Sequence, residues 1–164
     1  MPAKFNAQQE KNRLEELTMH ILEQSKRVGA DACEVAASAS VGLDVQARLG
    51  QPEKLEMTRD QSLSITVFLG ESRGSASTTD LSDGALQRTL EAALEIAKVT
   101  APDPAAVLAS RDQIIQSVPD LELDHPWEID AKEALDLAIE VESFGRQADF
   151  RITNSEGGSV SSTR

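Results

Sequence analysis

One thiol, Cys33, and two imidazoles, His20 and His125, are the residue types from which a nucleophile and its general base are most often assembled. Cys33 nevertheless falls on the apolar side of an alternating run, with Val35, Ala37 and Ala39 on its own face and Glu34, Ala36, Ser38 and Ser40 on the other. That placement predicts a buried, inert thiol, because a reactive cysteine needs access and a stabilised thiolate. His20 has no ligand partner four residues away and reads as the surface of a helix. The run Asp120-Leu121-Glu122-Leu123-Asp124 places carboxylates at alternate positions, as a calcium loop begins, but lacks the turn glycine and the closing bidentate glutamate. It reads instead as a solvated edge strand, with Leu121 and Leu123 facing the core and Trp127 anchoring the turn after Pro126. The stretch Gly70 to Ser77 is glycine-rich like a phosphate loop, yet no lysine follows it and its register is that of a hairpin. No His-Glu-x-x-His, Cys-x-x-Cys or serine elbow is present, so no complete catalytic or metal site is expected within these residues.

The elements that would position these groups follow from periodicity. Leu14, Leu17, Ile21, Leu22 and Val28 recur at helical steps from Gln8 to Val28, and Gly29 is the stop. The alternation then predicts two strands, 33–40 and 43–49, broken near Gly42. Gly50 and Pro52 precede a third around Leu55 and Met57, and an Asp60-Gln61 turn leads to a fourth through Leu63, Ile65, Val67 and Leu69. A turn from Gly70 to Gly74 returns a short strand, Ser75 to Thr78, before a helix capped by Asp80 or Ser82 and carrying Leu86, Leu90, Ala93, Leu94 and Ala97 inward. Pro102 and Pro104 end that helix. Ser117 to Glu128 reads as an extended connection, and Asp130 with Glu133 opens a third helix through Leu135, Ile139 and Phe144. The fold class is therefore α+β: an antiparallel meander of four to five strands with helices on one face, in two layers. Residues 1–150 are expected to form this domain. Residues 151–164 read as a truncated hairpin, Arg151 to Thr153 turning through Asn154 to Gly158, that leads into a longer protein.

One surface is suggestive. The meander face opposite the helices carries Arg48, Glu56, Thr58, Ser62, Ser64 and Thr66, with Ser38, Ser40 and Gln46. It is small, polar and lightly charged. Ordinary solvation accounts for such a face, and so does a cavity wall or a sheet that accepts an extended peptide.

The totals set the bounds. The 164 residues fit one domain, and aromatics at 3% leave a core of Leu, Ile, Val and Ala. A net charge of -12 repels phosphate backbones, so direct nucleic-acid binding is not expected. A single cysteine, no secretory signal and no apolar run long enough for a bilayer predict a cytoplasmic protein without membrane contact.

Five segments taken together resemble the N-terminal domain of the PmbA/TldE family. They are Gly29 to Val35, Ser64 to Phe68, Gly74 to Ser82, Thr100 to Pro104 and Arg151 to Gly158. The resemblance implies a subunit of the TldD/TldE metallopeptidase, a cytoplasmic heterodimer that digests unfolded peptides and matures a peptide antibiotic. The family was also described as a modulator of DNA gyrase. It further implies a TldD-like partner that carries the zinc motif His-Glu-x-x-x-His, beyond the region corresponding to Arg164, so that no catalytic or metal residue carries over to this chain. An architectural role follows, with Arg48, Glu56, Thr58, Ser62, Ser64 and Thr66 as the surface toward partner or substrate. The competing reading is an acidic binding module that modulates DNA gyrase by occupying a basic groove.

Overall fold

The computed structural model describes residues 5–115, 117–123 and 125–164. In chain order it contains helix α1 (Ala7–Arg27), strands β1 (Ala32–Arg48), β2 (Gln51–Leu69) and β3 (Ser72–Thr78), helix α2 (Asp83–Val99), a 3-10 turn at Arg111–Gln113, helix α3 (Ala131–Gln147) and strand β4 (Gly158–Thr163). The sheet is open and antiparallel, in the order β3-β2-β1-β4. The α+β class expected from periodicity is the one observed.

The strands are fewer and longer than their patterns suggest. β1 runs for 17 residues and β2 for 19, each without interruption. Gly42 does not break β1: a Cβ there would lie 2.6 Å from Thr58 Oγ1, so glycine lets the backbone pass a side chain while keeping its ladder partner Thr163. Asp60 and Gln61 stay inside β2, where Gln61 donates to Thr79 O at 3.2 Å and accepts from Arg13 at 3.1 Å. The strand runs through this step without a turn. The reversal between β1 and β2 is Leu49 (φ 52) and Gly50 (φ 74), a left-handed pair whose twist matches that of the strands it joins. The next turn is likewise shorter than expected. Gly70 and Glu71 alone make it, and β3 begins at Ser72, opposite Leu69.

The chain divides into two compact units. The first comprises the chain up to Ala39 with Asp60–Asp120. Its core joins Ile21 of α1, Leu63, Ile65 and Val67 of β2, and Leu86, Leu90, Ala93, Leu94 and Ala97 of α2, with Cys33, Val35 and Ala37 of β1 packed against them. Asn6 caps α1 by accepting from Gln9 N at 3.0 Å. At α2 the N-cap is Ser82, whose side chain makes no cap bond, while Asp80 accepts the Ser82 amide at 2.9 Å. Thr100 leaves the helix with ψ 135, extended geometry that suits the prolines after it.

The second unit comprises Ser40–Arg59 with Leu121–Arg164. Leu43, Val45 and Ala134 form its buried cluster, lined by Ile129, Leu135 and Val160. Helix α3 opens with the expected capping box: Asp130 accepts from Glu133 N at 2.8 Å, and the Glu133 side chain accepts from Asp130 N at 3.0 Å. Its buried face is Ala134, Ala138 and Glu142, whereas Phe144, the helix's largest apolar residue, is 68% exposed. Small residues win that face because α3 lies close enough to β4 that a Cβ on Gly158 would overlap the Ala138 carbonyl.

Two further expectations are corrected. Leu121 and Leu123 are exposed, Trp127 is exposed, and no strand forms among the described residues of this connection; Glu122, at φ 50, leaves the extended region that an edge strand needs. Asp124 lies outside the described residues. Arg151 to Thr153 form no hairpin arm. Asp149 holds Arg151 through its amide and its guanidinium, at 2.9 and 2.7 Å, and the following strand pairs with β1 from Gly42↔Thr163 to Ala47↔Gly158.

Candidate functional surface

The six residues assigned to a partner-facing or substrate-facing surface fall in both units, and each set is described by itself. In the first unit, Ser62 shares a 2.9 Å hydrogen bond with Ser38 across the strand pair, and Thr66 one of 2.8 Å with Ser75, while Ser64 is half-buried. These hydroxyls satisfy one another as cross-strand pairs. In the second unit, Arg48 is committed to structure. Its Nε donates to Ser155 O at 3.0 Å, and its guanidinium lies 3.6 Å from the Glu53 carboxylate. Gln46 does similar work two residues earlier, donating to Glu156 O at 3.1 Å. Glu56 is exposed and pairs with Lys54 at 2.5 Å on its own face of β2, while Leu55 and Met57, also exposed, point to the other; Thr58 lies against Gly42.

Among the described residues, a buried ionisable group stands out that sequence reasoning missed. Glu142 sits on α3 with 4% of its surface exposed. Its carboxylate accepts the Leu49 amide at 2.6 Å and the Gly50 amide at 2.8 Å, the two consecutive donors of the β1–β2 turn. The Gly50 amide first, then the Leu49 amide, the Ser155 hydroxyl and the Arg146 charge hold it below the ordinary glutamate value, against the opposing effect of burial. Nothing in the local pattern flagged it, because a glutamate in a helix reads as solvated. The available signal was the spacing Ala134, Ala138, Glu142, which places it on the buried stripe.

Cys33 packs against the first core on the apolar side its alternation predicted, but it is half-buried rather than fully buried. Burial, with Glu34 adding to it, raises its thiol pKa, and a bond with Ser25 opposes the rise. A thiol so placed is protonated at neutral pH and a weak nucleophile. His20 and His125 are both exposed. Among the described residues, no three of His, Cys, Asp and Glu come together so as to hold a metal ion. No helix among the described residues is long and apolar enough to cross a membrane.

The segments that carry the resemblance are occupied in construction. Asp31 accepts the Gly70 amide at 2.7 Å and donates its own amide to Phe68 O, which ties the start of β1 to the β2–β3 turn. A Cβ on Gly74 would overlap the Ala93 carbonyl and the Ala97 amide, so glycine sets the approach of β3 to α2. Asp103 donates its amide to Glu71 O at 2.8 Å, and Ser72 donates to Thr100 O at 2.9 Å. Gly157, at φ 103, presses against the Ala47 carbonyl.

Comparison with known proteins agrees with this picture. The sequence model of PmbA/TldA metallopeptidase domain 1 matches residues 33–97. The chain is 47% identical over 133 residues to Metalloprotease PmbA of Escherichia coli O157:H7, covering 81% of this chain and 30% of that protein. It is 45% identical over 141 residues to a Metalloprotease PmbA homolog of Haemophilus influenzae, covering 86% of this chain and 31% of that one. The fold matches a crystal structure described as a modulator of DNA gyrase from Bacteroides thetaiotaomicron, with a TM-score of 0.77 at 19% identity over 91% of this chain and 38% of the other. TldE from Thermococcus kodakarensis gives a TM-score of 0.66 at 15% identity over 90% of this chain and 33% of the other. The chain thus spans about 30% of the length of the curated relatives it matches.

Proposed function

Since the chain belongs to the PmbA/TldA metallopeptidase family through its first domain, we propose that it is the scaffold domain of a PmbA/TldE-like subunit of a cytoplasmic zinc peptidase that cleaves unfolded peptides. In this reading a TldD-like subunit holds the zinc, which polarises the scissile carbonyl and activates a water, and this domain helps wall the chamber around it. The observation that carries the reading is the use made of the shared segments. Asp31, Gly74, Asp103, Gly157 and Gly158 hold turns and set close backbone approaches, the work of a frame.

Within the proposed partner or substrate surface, the charged residues differ in how cleanly they can be probed. Arg48 is engaged by Ser155 and Glu53, so its replacement disturbs the 154–156 loop as well as any interface. Glu56, exposed and paired only with the neighbouring Lys54, is the cleaner probe. Glu56→Lys in the full-length subunit is expected to lower assembly with the TldD-like partner or cleavage of an unfolded peptide several-fold, read by co-purification and by a peptidase assay. Full assembly and full cleavage would remove this surface from the proposal. Peptide hydrolysis by the purified 164-residue chain, abolished by changing one of its own side chains, would overturn the scaffold reading itself.

A second reading is favoured by the net charge of -12 and by the description of a structural neighbour as a modulator of DNA gyrase: an acidic module that binds a basic groove of that enzyme. Competition between the chain and DNA for gyrase at matched salt separates it from the scaffold.

A further inference from the structure

A buried carboxylate that spends both oxygens on the tip of a hairpin is an unusual commitment. Two-residue turns of this left-handed type form without side-chain help when glycine is present. Here the first turn residue is leucine, Leu49, held at φ 52 where side chains crowd the backbone, and Glu142 takes the amides of both turn residues at 2.6 and 2.8 Å. The surroundings show how charge is balanced. Arg146 on the same helix contributes a favourable charge, the loop contributes the Ser155 hydroxyl, and Arg48 of β1, paired with Glu53 of β2, binds the carbonyl of that same serine. β4 brings Gly158, which touches the backbone of α3 and carries no titratable group.

We propose that Glu142 is a charge-operated latch: as a carboxylate it locks the Leu49–Gly50 turn onto α3, and when neutralised it releases that turn. A carboxylate can accept from both amides at once, one oxygen each. A protonated acid or an amide offers one good acceptor oxygen and directs a donor at the second amide, so one turn amide loses its partner and faces another donor.

The sign of the pH response follows. The folded-state value lies below the ordinary glutamate value of 4.5, so the latch is fully closed above that value and opens as pH falls through the lower, folded-state one. The test is amide NMR on the 164-residue chain. The Leu49 and Gly50 amide protons are expected to titrate together with the Glu142 carboxyl, and their exchange, corrected for intrinsic pH dependence, to quicken across the same step. In Glu142→Gln both amides should exchange at least about tenfold faster at neutral pH, with Leu43 and Val45 of the same unit unchanged. Turn amides that ignore the Glu142 titration would overturn the latch, as would wild-type protection in Glu142→Gln. An equal rise in exchange at Leu43 and Val45 would show a general stabiliser instead. Should Glu142→Gln fail to fold, the wild-type titration alone decides, because it needs no variant.

Discussion

Glycine and acidic residues do most of the structural work visible at single positions, and each does it through the backbone. Gly74 lets β3 approach α2 until a methyl group would meet the Ala93 carbonyl and the Ala97 amide at once. Both obstacles are main chain, so the helix or the strand has to move to make room. Gly74→Ala is accordingly expected to destabilise the protein by about 2 kcal/mol, measured by denaturant unfolding. Gly158 repeats the arrangement against α3, where the Ala138 carbonyl and the Glu142 amide occupy the space. Cys33 illustrates the opposite case, a residue type with chemical potential that its setting withholds. Its side chain fills the edge of the first core and its thiol pKa is raised by burial.

At the scale of elements, the helices obey local rules and the strands do not. The start of α3 is set by a reciprocal pair, Asp130 accepting from the Glu133 amide while Glu133 accepts from the Asp130 amide. Asp130→Ala is expected to cost about 1 kcal/mol, measured by thermal unfolding, with the loss largest in the first turn of α3. The interior face of α3 shows where local rules stop. Phe144, its largest apolar residue, stays exposed because the close approach of β4 selects alanine and admits Glu142. The strands were expected as four pieces. Each pair merges into one long strand, through Gly42, which pairs with the distant Thr163, and through Asp60-Gln61.

Over the whole molecule, the two units have cores of different depth. The first buries side chains from two helices and from the sheet, whereas the second has Leu43, Val45 and Ala134 as its buried cluster. Protection from hydrogen exchange is expected to be higher for Ile65 and Leu90 than for Val160 and Leu135, which native-state exchange checks directly; equal protection would show that the cores open together. The amino-acid order alone determined the α+β class, the three long helices with the Asp130–Glu133 capping box of the last, the apolar side of Cys33 and the family resemblance, because periodicity, capping and turn chemistry act between residues a few positions apart. Only the tertiary structure decided that Gly42 continues a strand, that the last strand pairs with β1, that Arg48 serves the Ser155 loop and that Glu142 grips the Leu49–Gly50 turn. Each of those depends on a partner far along the chain. A side chain's pattern says which way it faces, and the residue it meets there is settled by the packing of the whole.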